Sequence, residues 1–150
     1  MGPQESTDGK VLTNAPTNPA ADAENRPNQE KLCLFFCIYV QKIVEITKNR
    51  NLFDEFNSVK GSKNQSGFEN FARQIAMVIV SIIKGNIRVI EELTDSIEPN
   101  PNIVMLRECV KKSLEMMIQL SNIPEDELFK ICLDFWHFLS VDIMQKNNKE

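Results

Sequence analysis

The sequence predicts an all-α fold of about four main helices that belong to an open stack of helix pairs. Large apolar residues recur at helical spacing in separate segments after the first 28 positions. No Asn-Gly or Asp-Gly turn joins two runs of alternating polarity, so nothing favours a strand. We predict a disordered tail or linker over residues 1–28 and a helical-repeat segment over residues 29–150.

The predicted tail consists almost entirely of Pro, Asn, Thr, Ala, Gly and charged residues. Apart from Met1, its only large aliphatic residues are Val11 and Leu12. Such a stretch buries too little apolar surface to offset the conformational entropy that ordering removes.

The first predicted helix runs from about Asn28 to Lys48 and is apolar around most of its circumference. Its main series is Leu32, Phe35, Phe36, Tyr39, Ile43 and Ile46, widened by Cys33, Cys37, Val40 and Val44. A helix of this kind is covered on both sides. The terminal helix of a closed bundle would have one polar face, so this pattern favours a stack.

The stretch from Asn49 to Ser66 loses the helical pattern, and we predict a loop there. Its apolar residues, expected to dock on neighbouring helices, are Leu52, Phe53, Phe56 and Val59. The connections along the chain alternate between short and long, as they do between stacked helix pairs. The spacing between helices exceeds the roughly 40 to 47 residues of a HEAT repeat, and internal self-similarity is weak.

The second predicted helix begins near Ser66, with Ser66 or Gln65 as its cap and Glu69 in its first turn. Its apolar series is Phe68, Phe71, Ala72, Ile75, Val78, Ile79, Ile82 and Ile83. Gly85-Asn86 either ends it or marks a kink, because a helical series restarts at Ile87. The two prolines of residues 97–101 close the segment.

The third predicted helix spans about Asn102 to Leu120, and the fourth follows the short corner at residues 121–124. The inward residues of the third are Ile103 or Val104, Leu106, Val110, Leu114, Met117 and Leu120, and its outward ones are Arg107, Lys111, Lys112 and Glu115. The fourth has Pro124 in its first turn and acids at its positive end. Its inward residues are Leu128, Ile131, Cys132, Phe135, Phe138, Leu139 and Ile143, with Lys130, Asp134 and His137 on the wetter side.

Charge and hydropathy exclude two classes of partner. The 17 basic residues, against 21 acidic ones, are scattered rather than arranged in stripes, so we expect no direct nucleic-acid binding. The longest apolar run, Leu32–Val40, is about half the length of a bilayer crossing, so we expect no membrane insertion. No secretory signal opens the chain, and we expect a soluble, intracellular protein whose cysteines are free.

No pattern in the sequence predicts a catalytic, cofactor-binding or metal site. Cys132 and His137 are five positions apart, which turns them about 140° from each other around a helix. Cys33 and Cys37 share a face but lie in an apolar run, where a thiol packs as a small hydrophobe. His137 is the only histidine and has no evident partner. Phosphate-loop, nucleophile-elbow and HExxH motifs are absent, so we predict that the protein is not an enzyme.

Two acidic groups and one tryptophan have competing interpretations. The acidic groups are Glu125, Asp126 and Glu127, and Glu91, Glu92, Asp95 and Glu98. We interpret both as solvated faces and helix-start charge, with a surface for a basic partner as the alternative. Trp136 lies beside the main apolar series, and we expect it to pack rather than to form an interface.

The string Ile123-Pro-Glu-Asp-Glu-Leu-Phe-Lys-Ile-Cys-Leu-Asp-Phe-Trp-His-Phe-Leu139 resembles one in the chromosome-region-maintenance exportins, the importin-β-like receptors for leucine-rich nuclear export signals. The core of the likeness is Phe129-Lys-Ile-Cys-Leu133 followed by an acid, an aromatic residue and Trp136. Upstream, the stretches 65–71 and 110–120 occur in the same order at compatible spacing. The resemblance covers about residues 30–146. It departs from the family at Asp134, Phe135, His137 and Phe138.

This resemblance implies a HEAT-repeat superhelix in which the chain is an internal part, around the fifth to seventh repeats. It implies Ran-GTP, export-signal cargo and nucleoporins as partners of the whole receptor, and shuttling between nucleus and cytoplasm. The family's cargo groove with its reactive cysteine would lie further along the receptor, so none of the four cysteines here corresponds to it. A piece of a stack leaves apolar end faces uncovered, and the isolated chain is expected to be marginally stable or to self-associate.

Two other hypotheses remain open at this point. The first is a helical-repeat scaffold or adaptor subunit unrelated to nuclear transport, which would have the same fold but would not bind Ran. The second is a small, complete helical enzyme or regulatory domain. The reading frame on either side of these residues separates the three, because the exportin hypothesis requires many more helical repeats flanking them and the complete domain requires stop signals.

Overall fold

The computed structural model describes residues 19–98 and 100–149, which form five helices. They are α1 (Pro19–Ile46), α2 (Leu52–Val59), α3 (Gln65–Thr94), α4 (Pro101–Ser121) and α5 (Asp126–Asn147). The described residues contain no strand, and the predicted all-α class is confirmed. None of these helices combines the length and hydropathy required to span a bilayer.

Helix α1 begins earlier than the sequence pattern predicts. Residues 1–18 of the predicted tail lie outside the described residues, whereas residues 19–28 belong to α1. Proline suits the first turn of a helix, and three alanines follow Pro19 within four positions. Apolar periodicity alone does not detect such a helix start, because alanine favours a helix without marking a buried face.

The four long helices form two layers. Helix α1 packs on α4 in one layer, and α3 packs on α5 in the other. The layers meet through the contacts of α3 with α1 and α4 and of α5 with α4. Within the described part of the chain, α1 and α5 make no contact. A closed four-helix bundle would bring the first and last helices together, so the arrangement is the open stack of two helix pairs that the sequence predicts.

The two helices of each layer run parallel. Three ion pairs join α3 to α5, and both partners advance along the chain from one pair to the next. In order they are Arg73–Glu125, Lys84–Asp134 and Glu91–Lys146. In the other layer, Cys33 of α1 and Ile103 of α4 line one cavity of about 390 Å³. Further along both helices, Cys109 Sγ of α4 lies 3.8 Å from the carbonyl oxygen of Cys37 of α1. Because both partners advance along the chain together, α1 and α4 run in the same direction. Each helix pair therefore repeats the direction of the previous pair.

Helix α2 lies where the sequence analysis predicts a loop, and that prediction is wrong. Asn51 caps it by accepting hydrogen bonds from the backbone N–H groups of Phe53 and Asp54. Leu52 and Phe56, one turn apart, are buried, as the docking prediction requires. The backbone N–H of Leu52 also donates to Gln119 Oε1 of α4 at 2.9 Å. Eight residues carry too little periodicity to be recognised as a helix.

Helix α3 is continuous but kinked. Asn86 has non-helical dihedral angles (φ −131°, ψ 21°), and its side-chain amide donates to the carbonyl oxygen of Ile82 at 2.9 Å. Of the two predicted alternatives, Gly85-Asn86 is therefore a kink. The predicted cap at Ser66 or Gln65 is wrong, since Asn64 occupies the N-cap position without a side-chain bond. Gln65 instead accepts a hydrogen bond from the backbone N–H of Gly61, which has φ +78°.

Helix α5 begins at Asp126, two positions after the Pro124 start that the sequence predicts. Pro124 precedes the N-cap, and Glu125 caps α5 by accepting hydrogen bonds from the backbone N–H groups of Glu127 and Leu128. At the start of α4, Pro101 occupies the first turn and Asn100 is the cap. A glutamate cap is unusual, so the sequence pattern favours the proline as the start of α5.

One connected apolar core holds the helices together. It contains most of the predicted inward residues, and α3 contributes Ile75, Ile79 and Ile83 to its centre. The predicted burial of Ile143 is wrong, because half of its side chain is exposed. Phe135 is fully buried and Phe129, on the same helix, is 54% exposed.

We expect Phe135→Ala to lower the free energy of unfolding by about 3–5 kcal/mol, because it leaves a cavity in the core. Phe129→Ala is the matched control, with an expected change of about 0.5 kcal/mol. Urea unfolding followed by circular dichroism measures both. Equal losses in the two variants would contradict the burial pattern of α5.

Candidate functional site: two apolar end faces

Helix α1 has an exposed apolar stripe on the side that faces away from α4. The stripe, hereafter the α1 stripe, consists of Leu32, Phe35, Ile38 and Ile46, which are 40–68% exposed. At about 100° per residue, they lie roughly opposite Cys33, Cys37 and Val40, which are buried on the α4 side. The prediction that α1 is covered on both sides therefore holds on one side only within this chain.

Helix α5 has a second exposed stripe, on the side that faces away from α3. This α5 stripe consists of Phe129, Leu133, Ile143 and Met144, which are 50–63% exposed. They lie roughly opposite Asp134, Phe138 and Lys146, the α5 residues that contact α3. Sequence reasoning missed Phe129 and Leu133 as surface residues, although their spacing of four positions on a second face is a signal of a second contact.

The two stripes lie at opposite ends of the stack, each in the direction in which its own layer would continue. Exposed apolar side chains gathered on one side of a helix indicate a surface that binds other protein elements. The side chains of both stripes are apolar, so they interact with other elements by packing. A further helix laid parallel to α1 or to α5 would repeat the contact already present within each layer.

Glu125 links the start of α5 to α3. Besides capping α5, its carboxylate lies 3.0 Å from the Arg73 guanidinium, and its side chain is only 13% exposed. Glu127, in contrast, pairs with Lys130 at the surface. The acidic group at residues 125–127 thus serves the helix start, as predicted.

The second acidic group is dispersed along the end of α3. Lys146 of α5 contacts both Glu91 and Asp142, and burial raises the pKa of Glu91 although Lys146 opposes the shift. Asp95 is the C-cap of α3. These residues therefore join α3 to α5 and end α3 rather than forming one acidic surface.

The four cysteines are buried and free. Burial raises the pKa of the Cys37 thiol to about 12, with a further contribution from its hydrogen bond with Cys109. Burial also raises the pKa of Cys33, Cys109 and Cys132. Because the thiolate is the reactive form, these thiols have low nucleophilicity, in agreement with the packing role predicted for them.

His137 and Cys132 lie on different faces of α5, as their spacing predicts. Cys132 is buried and His137 is exposed. Among residues 19–98 and 100–149, no three His, Cys, Asp or Glu side chains lie together in a way that could hold a metal ion.

Trp136 packs at the α4–α5 corner. Its ring contacts Phe135 edge-on, with ring centroids 5.0 Å apart, and its indole N–H donates to Ser121 Oγ at 2.8 Å. Ser121 Oγ donates in turn to the carbonyl oxygen of Met117. The predicted packing role is therefore confirmed over the interface alternative.

Residues 108–143 match the family described as chromosome region maintenance or exportin repeat. This segment is similar to a repeat of the exportin family. It begins in the first half of α4 and ends near the end of α5, so the matched unit corresponds to the α4–α5 pair. The Phe129–Leu133 string, Trp136 and most of the α5 stripe lie inside it.

Two curated relatives are similar to this chain. Protein EXPORTIN 1A of Arabidopsis thaliana is 30% identical over 78 residues, which is 52% of this chain and 6% of the relative. Exportin-1 of Dictyostelium discoideum is 27% identical over 77 residues, 51% of this chain and 6% of the relative. The chain thus spans a small part of the length of these relatives. No solved structure matches it.

The comparisons confirm the resemblance to exportins that the sequence motifs indicate. They cover less of the chain than the residues 30–146 of the motif comparison, since the family match spans residues 108–143 and the two relatives match over 78 and 77 residues.

We expect the native Cys37 thiol to react with iodoacetamide at pH 8 about a thousandfold more slowly than in the unfolded chain, because its pKa is raised to about 12. The thiols of Cys33, Cys109 and Cys132, whose pKa values burial also raises, should react more slowly than in the unfolded chain as well. The folded pKa of Cys37 is about 12 against an ordinary 9.0. The free energy of unfolding should therefore fall as the pH rises from about 9 towards 12, because only the unfolded chain releases the proton in that range. Mass spectrometry of the alkylated peptides measures the rates, with the urea-unfolded chain as control. Rapid native labelling of Cys37 would contradict this environment.

We expect Glu125→Ala to lower the free energy of unfolding by about 1–2 kcal/mol, because it removes the cap of α5 together with a partly buried ion pair. Glu127→Ala is the control, with a loss of about 0.5 kcal/mol from an exposed pair. Thermal unfolding of both variants at one protein concentration compares them. A larger loss for Glu127→Ala would show that the cap assignment is wrong.

Proposed function

We propose that this chain is an internal helical scaffold segment of a nuclear export receptor. The whole receptor would carry proteins with leucine-rich export signals out of the nucleus in a Ran-GTP-dependent manner. The observation that supports this most directly is that the exportin match spans most of one helix pair, from Glu108 within α4 to Ile143 within α5.

The open ends of the stack support an internal position. The α1 stripe and the α5 stripe face the two directions in which the layers would continue. In a longer receptor, preceding and following repeats would cover them, and the 6% coverage of the relatives is in keeping with such a fragment. The residues 29–150 would then form one continuous scaffold segment with their neighbours.

The scaffold role requires no reaction. The buried thiols have raised pKa values, and His137, the only histidine, is exposed. Ran-GTP, cargo and nucleoporins would bind through the whole receptor as it shuttles between nucleus and cytoplasm. No residue of this chain is assigned to those contacts, nor to a cofactor.

The test uses the full-length product of the reading frame that contains these residues. We expect it to retain Ran loaded with GTP and not Ran loaded with GDP. An export-signal peptide should bind about 5–150-fold more tightly in the presence of Ran-GTP, the usual size of coupling between two sites. Fluorescence anisotropy of the labelled peptide measures this ratio, with a peptide whose leucines are replaced by alanine as control.

Equal binding of Ran in its GTP-bound and GDP-bound states would contradict the exportin proposal. The alternative is then a helical-repeat scaffold or adaptor unrelated to nuclear transport, which the two-layer stack would serve equally well. A reading frame without flanking helical repeats would contradict both.

A further inference from the structure

We propose that copies of this chain, when it is present as a separate polypeptide, stack head to tail through their two end faces. The occupant of the face formed by α4 and α5 is the α1–α3 pair of a second copy. This assembly does not depend on the receptor function proposed above, since it follows from the geometry of the stack alone.

The contact inside the chain provides the template. Helix α4 lies parallel to α1, and α5 lies parallel to α3, so the second helix pair is placed on the first by one repeated operation. The same operation applied once more places α1 of a second copy on α4, and α3 of that copy on α5. The new interface continues an interface that already exists.

One such junction covers apolar surface on all four helices that meet there. The α1 stripe of the incoming copy meets the side of α4 that carries Ile118, which is 56% exposed. The α5 stripe of the first copy meets the side of α3 of the incoming copy that carries the half-buried Val78 and Ile82. Because the two stripes lie at opposite ends of the stack, every added copy covers one stripe of each kind.

A symmetric dimer is less consistent with this geometry. Pairing of two α5 stripes about a two-fold axis would leave both α1 stripes exposed. The head-to-tail contact, in contrast, is heterologous and does not close on itself. We therefore expect open-ended oligomers whose average size grows with protein concentration.

Two surface variants test the proposal. Phe35→Lys places a charge in the α1 stripe and Leu133→Lys places one in the α5 stripe, at side chains that are 68% and 57% exposed. Each variant keeps one intact end, so each alone is expected to be monomeric with unchanged helix content. Mixed in equal amounts, they should form a dimer of twice the monomer mass that grows no further.

Sedimentation velocity over a concentration series provides the measurement, and circular dichroism confirms that each variant is folded. Arg50→Lys, at the surface outside both stripes, is the control and should oligomerise like the unchanged chain. If the Phe35→Lys variant remains a dimer while Leu133→Lys is monomeric, the symmetric α5 pairing replaces the proposal. An unchanged chain that is monomeric at millimolar concentration, or a mixture that stays monomeric, would also overturn it.

Discussion

Burial of the apolar face of α3 is the constraint on which the rest of this structure depends. Helix α3 contacts each of the other four helices. Its isoleucines at positions 75, 79 and 83 are almost fully buried, and at about 25 cal/mol per Å² such side chains are a main source of folding free energy. Helices α1, α2, α4 and α5 all pack against α3, which lies where the two layers meet.

The same packing determines which surfaces stay uncovered. A helix in a longer two-layer stack has neighbours on both sides within its layer, whereas in this chain each of the four long helices has one, and the uncovered sides of α1 and α5 carry the exposed stripes. Their exposed stripes are therefore a consequence of where the stack ends rather than of unusual composition. Polar contacts have a different role, since the ion pairs from α3 to α5 align two helices whose association is due to apolar burial.

The sequence predicts the helices of this fold better than their ends and surfaces. Periodicity identified α3, α4 and α5 because their buried residues recur every three or four positions over five turns or more. It missed α2, which has eight residues, and the start of α1, where alanines favour a helix without marking a face. It placed Ile143 inside and overlooked Phe129, because apolar residues on two faces of one helix cannot be assigned to core or surface without knowing which neighbours exist. The cysteines and Trp136 were predicted correctly, since buried thiols and a satisfied indole follow from local apolar context.

The bend in α3 at Asn86 has a mechanical consequence. One ion pair to α5, at Lys84, precedes the bend, and another, at Glu91, follows it. Helix α5 remains regular over the same length, and its ion pairs on both sides of the bend hold the two halves of α3 at a fixed angle. Flexing the stack at this point would require one of those ion pairs to open. The stiffness of the segment against bending is therefore a property of two helices together.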